Sequence, residues 1–348
     1  MIRKNIFKLV NENAKKPKNF GIGIDLGTTN LLIYMQGHGI IFDEPSVIAF
    51  DIETGEIIAG GQDAYEMIGK THDKIRVCRP LKEGVISDMQ AAEALLKFVF
   101  SKVNNLGNLQ NATCLICCPS EVTQIEREAM KQLAIEVGIS DVFIEEEIKA
   151  GAIGSGNDIY HSKAVMMCDI GGGTTDVGIL SLGDVVLSQS VRIAGNYIDN
   201  EIMKYIHKNH GLVIGPMTAE KVKKELITLI EDDVRTMRVC GRDLTKGIPT
   251  SIEVNSQEIR AVLLPIMDEI VSVILNVLEI TPPELSSDLV DVGLIVDGGG
   301  AMIPGLKEFL EEKIDLPVTI CHDPMVAVVQ GTKVLLKSRG FYLINPVD

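Results

Sequence analysis

Two stretches of this chain carry the residue types needed to hold a phosphate. Gly21-Ile22-Gly23-Ile24-Asp25-Leu26-Gly27-Thr28-Thr29-Asn30 is an apolar run that ends in a carboxylate and a Gly-Thr-Thr turn. Val165-Met166-Met167-Cys168-Asp169-Ile170-Gly171-Gly172-Gly173-Thr174-Thr175-Asp176 repeats the same order of residue types 144 positions later (169 minus 25). A phosphate needs several main-chain N–H groups converging on it, and glycine lets the backbone approach closely with φ > 0 open to it. Gly27, Gly171, Gly172 and Gly173 meet that need, and the hydroxyls of Thr28, Thr29, Thr174 and Thr175 add donors. Asp25 and Asp169 end their runs where a carboxylate can hold Mg²⁺ through the ion's waters. A third element, Leu294-Ile295-Val296-Asp297-Gly298-Gly299-Gly300-Ala301, supplies another glycine-rich turn. A single Asp-x-Gly-Thr-Thr is equally well a tight structural turn. Two copies together with an Asp-Gly-Gly-Gly point to a nucleotide.

Such turns must be held at strand ends. Each is followed by a second apolar run, Leu31 to Met35 and Val177 to Leu182, and by a third around Ile40 to Phe42 and Val185 to Leu187. Both copies therefore predict strand, glycine-rich turn, strand, turn, strand. Helical spacing of apolar residues marks Gln90 to Val103, Thr123 to Val137 with Ser120 or Thr123 as N-cap, Ala219 to Ile230, and Gln257 to Leu278. Alternating strands and helices predict an α/β architecture, and the duplication predicts two similar lobes that point their turns into a shared cleft.

Composition narrows the function classes. The 348 residues suffice for two domain cores. A net charge of −15, no Trp and 4% aromatics argue against nucleic acid as a partner. Seven cysteines without a repeated spacing fit a reducing cytosol. Cys114 and Cys117 form a C-x-x-C inside an apolar run, which predicts buried core residues in place of a zinc or redox site. Met166 and Met167 are expected as core filling, and His207 and His210 as a polar surface pair. The most apolar stretch, Ala261 to Ile280, is interrupted by Pro265, Asp268, Glu269 and Glu279, so a buried or amphipathic helix is expected there and not a membrane span. The first twenty residues lack the continuous apolar segment of a signal peptide. They carry a net +5, leaving −20 for the remainder.

The motifs resemble those of the actin, sugar-kinase and heat-shock-chaperone ATPase superfamily, and within it the MreB family of bacterial actin homologues. The resemblance runs from about Gly21 onward, through Asp25 to Asn30, Arg79-Pro80-Leu81-Lys82-Glu83-Gly84-Val85-Ile86, Glu146 to Gly156, Asp169 to Asp176, Thr218 to Lys223 and Asp297 to Ala301. It implies an actin-like fold: two lobes of duplicated ribonuclease-H-like domains around a nucleotide cleft, binding ATP or ADP with Mg²⁺. Lobe I would span 21–155 with a small subdomain near 48–79, and lobe II 156–320 with one near 195–259. Residues 321–348 would return to lobe I, and 1–20 would be a basic extension. By the same resemblance Asp25 to Thr29, closed by Asn30, is the first phosphate loop and Asp169 to Thr175 the second. Gly298, Gly299, Gly300, Ala301 and Met302 would line the adenosine pocket, with Glu220 and Lys223 beside base and ribose. Glu147 would position the attacking water, shared with Thr174. On residue chemistry alone Glu147 is equally well part of a solvated acidic run with Glu145 and Glu146. The family usually places Pro after this Glu; here Ile148 follows, which removes a fixed φ.

Ile2, Ile6, Leu9 and Val10 fall on one helical stripe, with Arg3, Lys4 and Lys8 away from its centre and Phe7 widening the apolar side. This predicts a short interfacial helix at the inner membrane surface, marginal alone and firm in many copies. The first-lobe loop that docks relatives on membranes corresponds to the stretch with Leu106 and Leu109, made poorly apolar by Gln110. The resemblance further implies head-to-tail polymerisation when ATP favours a closed arrangement of the lobes, weak ATPase activity, accessory cell-shape proteins, and a role in cell shape or motility at the cytoplasmic face. The alternatives are a sugar-type kinase, a chaperone-like ATPase or a plasmid-segregating actin; the chain leaves no room after Ala301 for a chaperone's peptide-binding domain.

Overall fold

The computed structural model describes residues 20–102 and 109–338. The expected N-terminal helix, Leu106 and the last ten residues lie outside the described residues. Two compact units divide the chain: the first holds the described residues up to 67, 71–157 and those from 326 onward, the second 68–70 and 158–325.

The first unit opens with an antiparallel meander of β1 (Phe20–Leu26), β2 (Asn30–Met35) and β3 (Gly39–Pro45). A small sheet of β4 (Ile48–Asp51), β5 (Ile57–Gly60) and β6 (Ile75–Cys78) follows, with α1 (Gln62–Glu66) inside it and the hairpin of β7 (Leu81–Lys82) and β8 (Val85–Ile86) after it. Then come α2 (Met89–Lys102), β9 (Ala112–Cys118), α3 (Gln124–Glu136), β10 (Asp141–Glu146) and α4 (Glu147–Gly154). β9 lies parallel to β1 and β10 parallel to β9, giving the order β10-β9-β1-β2-β3. All seven residues of β9 are buried, Cys114 and Cys117 among them, because a central parallel strand is covered on both faces. Ile22, Ile24 and Ile33 of the sheet share one core with Leu95 and Leu96 of α2 and Leu133 of α3. Thr123 caps α3 in a reciprocal box with Glu126, which settles the choice between the two predicted caps.

The second unit repeats the plan. β11 (Val165–Ile170), β12 (Thr175–Ser181) and β13 (Asp184–Val191) form the meander, and α5 (Gly195–His210), β14 (Leu212–Val213), α6 (Pro216–Leu226), β15 (Thr236–Asp243), β16 (Pro249–Asn255), α7 (Ser256–Glu279) and α8 (Pro283–Val292) follow. β17 (Leu294–Asp297), a 3₁₀ turn at Gly299–Met302, α9 (Leu306–Ile314) and β18 (Val318–Ile320) complete it. β17 is parallel to β11 and β18 to β17, so the order β13-β12-β11-β17-β18 matches the first sheet strand for strand. The chain then returns to the first unit as α10 (Ala327–Ser338), packed on α4 and β1.

Two expectations change here. The helix predicted over Ala219–Ile230 stops at Leu226, where Ile227 turns extended. The Arg235 guanidinium takes the Glu225 and Ile227 carbonyls, and the Leu229 N–H donates to Pro304. His210 is partly buried and not half of a surface pair: its Nε2 lies 2.6 Å from Glu258, which also accepts from Tyr205. The helix α7 has the length and mean hydropathy (2.0) of a membrane span. Its Ile259, Leu263, Ile266, Met267, Ile270 and Ile274 instead fill the core of the second unit, as the interrupting polar residues predict.

Candidate functional site

In each sheet the predicted turns leave the carboxyl ends of the parallel strands, the usual ligand edge of such sheets. In the first unit, Asp25 pairs in register with Cys117 of β9, which pairs with Glu145 of β10. Glu147 begins α4 two residues on, and it is 9% exposed. Burial, and then the charges of Asp25 and Glu147, push the Cys117 thiol up, which places both carboxylates around one buried sulfur. On the other side Asp25 faces Leu32 of β2, and Leu32 faces Asp43 of β3. Burial, with Asp43 second, pushes the Asp25 carboxyl from the ordinary 3.8 up to about 7.

The turn itself is Gly27 to Thr29. None of Gly27, Gly171, Gly172 and Gly173 has φ > 0, contrary to the conformational reason given for them above. Glycine is required at Gly27 for space: a Cβ there would stand 2.5 Å from the Asn30 carbonyl oxygen across the tight β1–β2 hairpin. Thr28 is buried, and its Oγ1 accepts a 2.8 Å bond from the Gly84 N–H, leaving its own hydrogen to donate. Glu83 and Gly84 both have positive φ (52° and 78°), the conformation of a two-residue hairpin turn. That gives the Arg79–Ile86 run a physical role, since the β7–β8 hairpin delivers this N–H to the first turn. Thr29 Oγ1 is buried and has no hydrogen-bond partner. Among the described residues the Thr28 and Thr29 N–H groups donate to no main-chain carbonyl.

In the second unit Asp169 is flanked in register by Asp176 of β12 and Asp297 of β17, forming a row of three buried carboxyls on adjacent strands. Burial and these three charges raise the Cys168 thiol. The first two N–H groups of α5 tie the turn: Gly195 donates to the Gly171 carbonyl (3.1 Å) and Asn196 to that of Gly172 (2.8 Å). A trans peptide points its N–H opposite its C=O. The N–H groups of Gly172 and Gly173 therefore face away from α5, and among the described residues they donate to no carbonyl. Thr174 is 8% exposed, and its carbonyl accepts from the Gly171 N–H. Thr175 departs from expectation, because its hydroxyl donates to the Ile193 carbonyl (2.6 Å) and serves the turn.

The third turn is pressed on the second. Gly298 has φ 74°, and a Cβ there would sit 2.3 Å from Asp169 Oδ1. A Cβ on Gly300 would meet Ile170, whereas Gly299 faces only Met325. Ala301 is packed in the core and Met302 is exposed. Lys223 Nζ donates to the Gly195 carbonyl and to Asp199 (2.9 Å each), which places it beside the Gly171–Gly172 turn. Glu220, one turn earlier on α6, is buried and paired with Lys224. The second unit thus gathers 169–174, 195, 223 and 298–300 at one edge. Sequence reasoning passed over Gly84, Gly195, Asp176 and Asp297; of these only Gly195 lay outside the runs that had been singled out.

The donor set suits a hydrated dication and several phosphate oxygens. Among the described residues no three or more His, Cys, Asp or Glu side chains close into a metal cage. Asp25 is instead a carboxylate raised by burial and Asp43, and in the adjoining turn the Thr29 hydroxyl has no hydrogen-bond partner among the described residues. A cation held by one carboxylate, waters and substrate phosphates needs no more than this.

Comparison with known proteins agrees with the duplicated plan. A family model described as MreB/Mbl protein matches residues 19–341. The cell shape-determining protein Mbl of Bacillus subtilis is 43% identical over 316 residues, covering 90% of this chain and 95% of that protein. The cell shape-determining protein MreB of Escherichia coli K12 is 39% identical over 316 residues, covering 89% and 91%. Among solved structures, MreB5 of Spiroplasma citri bound to AMPPNP superposes with a TM-score of 0.90 at 41% identity, covering 96% of this chain and all of that one. The fold is actin-like, and the chain belongs to the MreB/Mbl family.

Proposed function

We propose that this chain binds ATP and ADP with Mg²⁺, hydrolyses ATP slowly, and polymerises into filaments at the cytoplasmic face of the membrane that act in cell shape or motility. One observation carries the reading. The same strand-end turn occurs twice, at the same place in two sheets of identical order, each time with main-chain N–H groups that donate to no carbonyl among the described residues and a carboxylate at the end of the preceding strand. The AMPPNP bound to the Spiroplasma citri relative and the cell-shape roles named for Mbl and MreB support it.

The chemistry asked of the chain is modest. The Thr28, Thr29, Gly172 and Gly173 N–H groups bind and orient phosphate oxygens. Asp25 and Asp169 would hold Mg²⁺, which neutralises phosphate charge. Glu147 holds a water and accepts its proton at a carboxylate oxygen as that water attacks the γ-phosphorus, the bond from the γ-phosphorus to the β–γ bridging oxygen breaks, and ADP leaves with inorganic phosphate as the second product; Thr174 would steady the same water. Glu220, Lys223 and the Gly298–Met302 turn would border the nucleoside. High-speed pelleting tests the assembly: protein at micromolar concentration is expected in the pellet with Mg-ATP and in the supernatant without it. Protein that stays soluble with Mg-ATP and phosphorylates a sugar overturns the filament reading in favour of a kinase.

The membrane part rests on residues 1–10. Their deletion is expected to lower co-sedimentation with vesicles rich in anionic lipid by severalfold, and more steeply for polymer than for monomer, because avidity multiplies weak single contacts. Equal binding by the truncated chain would make these residues a solvated tail.

A further inference from the structure

We infer that Ser46 is a positioning residue for the first phosphate turn, acting through the peptide groups of Gly27 and Thr29. Ser46 follows β3, has no solvent exposure, and reaches the β1–β2 turn with two donors. Its hydroxyl donates to the Gly27 carbonyl at 2.7 Å, and its main-chain N–H donates to the Thr29 carbonyl at 2.8 Å. The inference rests on the nucleotide-binding reading above and deepens it.

The consequence follows from the planarity of the peptide group. With the Gly27 oxygen held toward Ser46, the Thr28 N–H of the same peptide must point to the opposite side. The Thr29 oxygen, held by the Ser46 N–H, fixes the next but one peptide in the same sense. Between them stands the orphaned Thr29 hydroxyl. The Gly27 and Thr29 carbonyls are therefore both held toward Ser46, and the Thr28 N–H faces outward, the orientation an anion requires. Without the hydroxyl the Gly27–Thr28 peptide is the one free to rotate, because glycine on its amino side opposes the flip with no Cβ. A flip would present a carbonyl oxygen to the phosphate, and like partial charges would repel.

The second unit reaches the same orientation by other means, with the Gly195 and Asn196 N–H groups of α5 holding the Gly171 and Gly172 carbonyls. Those donors are main chain and survive any substitution short of proline. In the first unit one of the two locks is a side chain, so that lock can be removed without touching the turn.

The test compares affinity with stability. Mg-ADP binding is measured by titration calorimetry for the full chain and for Ser46→Ala, with the melting temperature of each taken without nucleotide. Ser46→Ala is expected to bind Mg-ADP about tenfold more weakly, in line with one lost hydrogen bond and a turn no longer held for its ligand. Ser46→Cys, slightly larger and with only a weak donor, is expected to fall between and carries the test should the alanine variant not fold. A purely structural serine would lower the melting temperature and leave affinity unchanged, so unchanged affinity in the folded variants overturns the inference. Failure of the unaltered chain to bind Mg-ADP overturns the nucleotide reading itself, and the two failures are read from different samples.

Discussion

Glu147→Ala is expected to slow phosphate release from ATP by about 10²–10³-fold while changing ATP affinity by less than about threefold. Single-turnover phosphate release gives the first quantity and titration calorimetry the second. The expectation rests on where the fold puts this carboxylate. It leaves the end of β10 as the first residue of α4, at the same sheet edge as Asp25. Its neighbours in the acidic run are engaged elsewhere: Glu145 lies 3.2 Å from Lys149 and Glu146 lies 3.7 Å from Arg127. Glu146→Gln is the matched control, and its turnover should stay within about threefold, since glutamine keeps the side chain's size and the ion pair it loses is long, at 3.7 Å. The absence of Pro after Glu147 does not leave the residue loose. Ile148 is fully buried, and α4 is gripped by α10 so closely that a Cβ on Gly331 would stand 1.8 Å from the Ala150 carbonyl oxygen. Tertiary packing replaces the fixed φ that proline would supply. Unchanged turnover in Glu147→Ala would remove it from the mechanism, and a parallel fall in affinity would move it from water positioning to binding.

The turns were legible because glycine, threonine and aspartate at a strand end form a local pattern, and its repetition after 144 positions (169 minus 25) made the duplicated sheets an expectation. The capping of α3 by Thr123 and the buried cysteines of β9 were legible for the same local reasons. What escaped is what only the folded chain creates. The Gly84 N–H reaches Thr28 across 56 positions, and no spacing rule connects them. The glycines were read as conformational, whereas Gly27 and Gly300 answer to crowding by Asn30 and Ile170, which appear only when strands pair. The stop of α6 at Leu226 is enforced by Arg235, which folds back over the helix end, and by Pro304, remote in sequence. Thr175 looked like a second hydroxyl donor by analogy with Thr29, yet it lies on β12 with its hydroxyl turned to Ile193. Residue type announced the chemistry; hydrogen-bond direction decided which atoms remain free for it.

Asp25→Asn is expected to stabilise the nucleotide-free protein above pH 7 and to remove most of the Mg²⁺ contribution to nucleotide binding. The carboxyl is raised from 3.8 to about 7 in the folded chain, by burial first and Asp43 second. A carboxyl with a raised folded pKa favours the folded state only while protonated there, so its unfavourable contribution grows as pH climbs from about 4 and levels off above about 7. Asparagine carries no charge at any of these pH values. The two proteins should therefore melt together near pH 4 and diverge through neutrality, the variant ending higher. Allowing for the partial solvent access of this residue, the difference is about 1–3 kcal/mol, or about 2–6 °C in melting temperature. With Mg-ATP present the order should reverse. The unaltered chain gains stability by mass action, and the variant, lacking this carboxylate, gains little more from Mg-ATP than from ATP with EDTA. A variant that melts like the unaltered chain at pH 8, or that keeps a full Mg²⁺-dependent gain, would mean that Asp25 is neither strained nor a cation ligand. The two signs share one cause. A buried carboxylate facing Asp43 without matching positive charge weakens the empty fold, and that same deficit of positive charge is what makes the turn receptive to a dication and its phosphates.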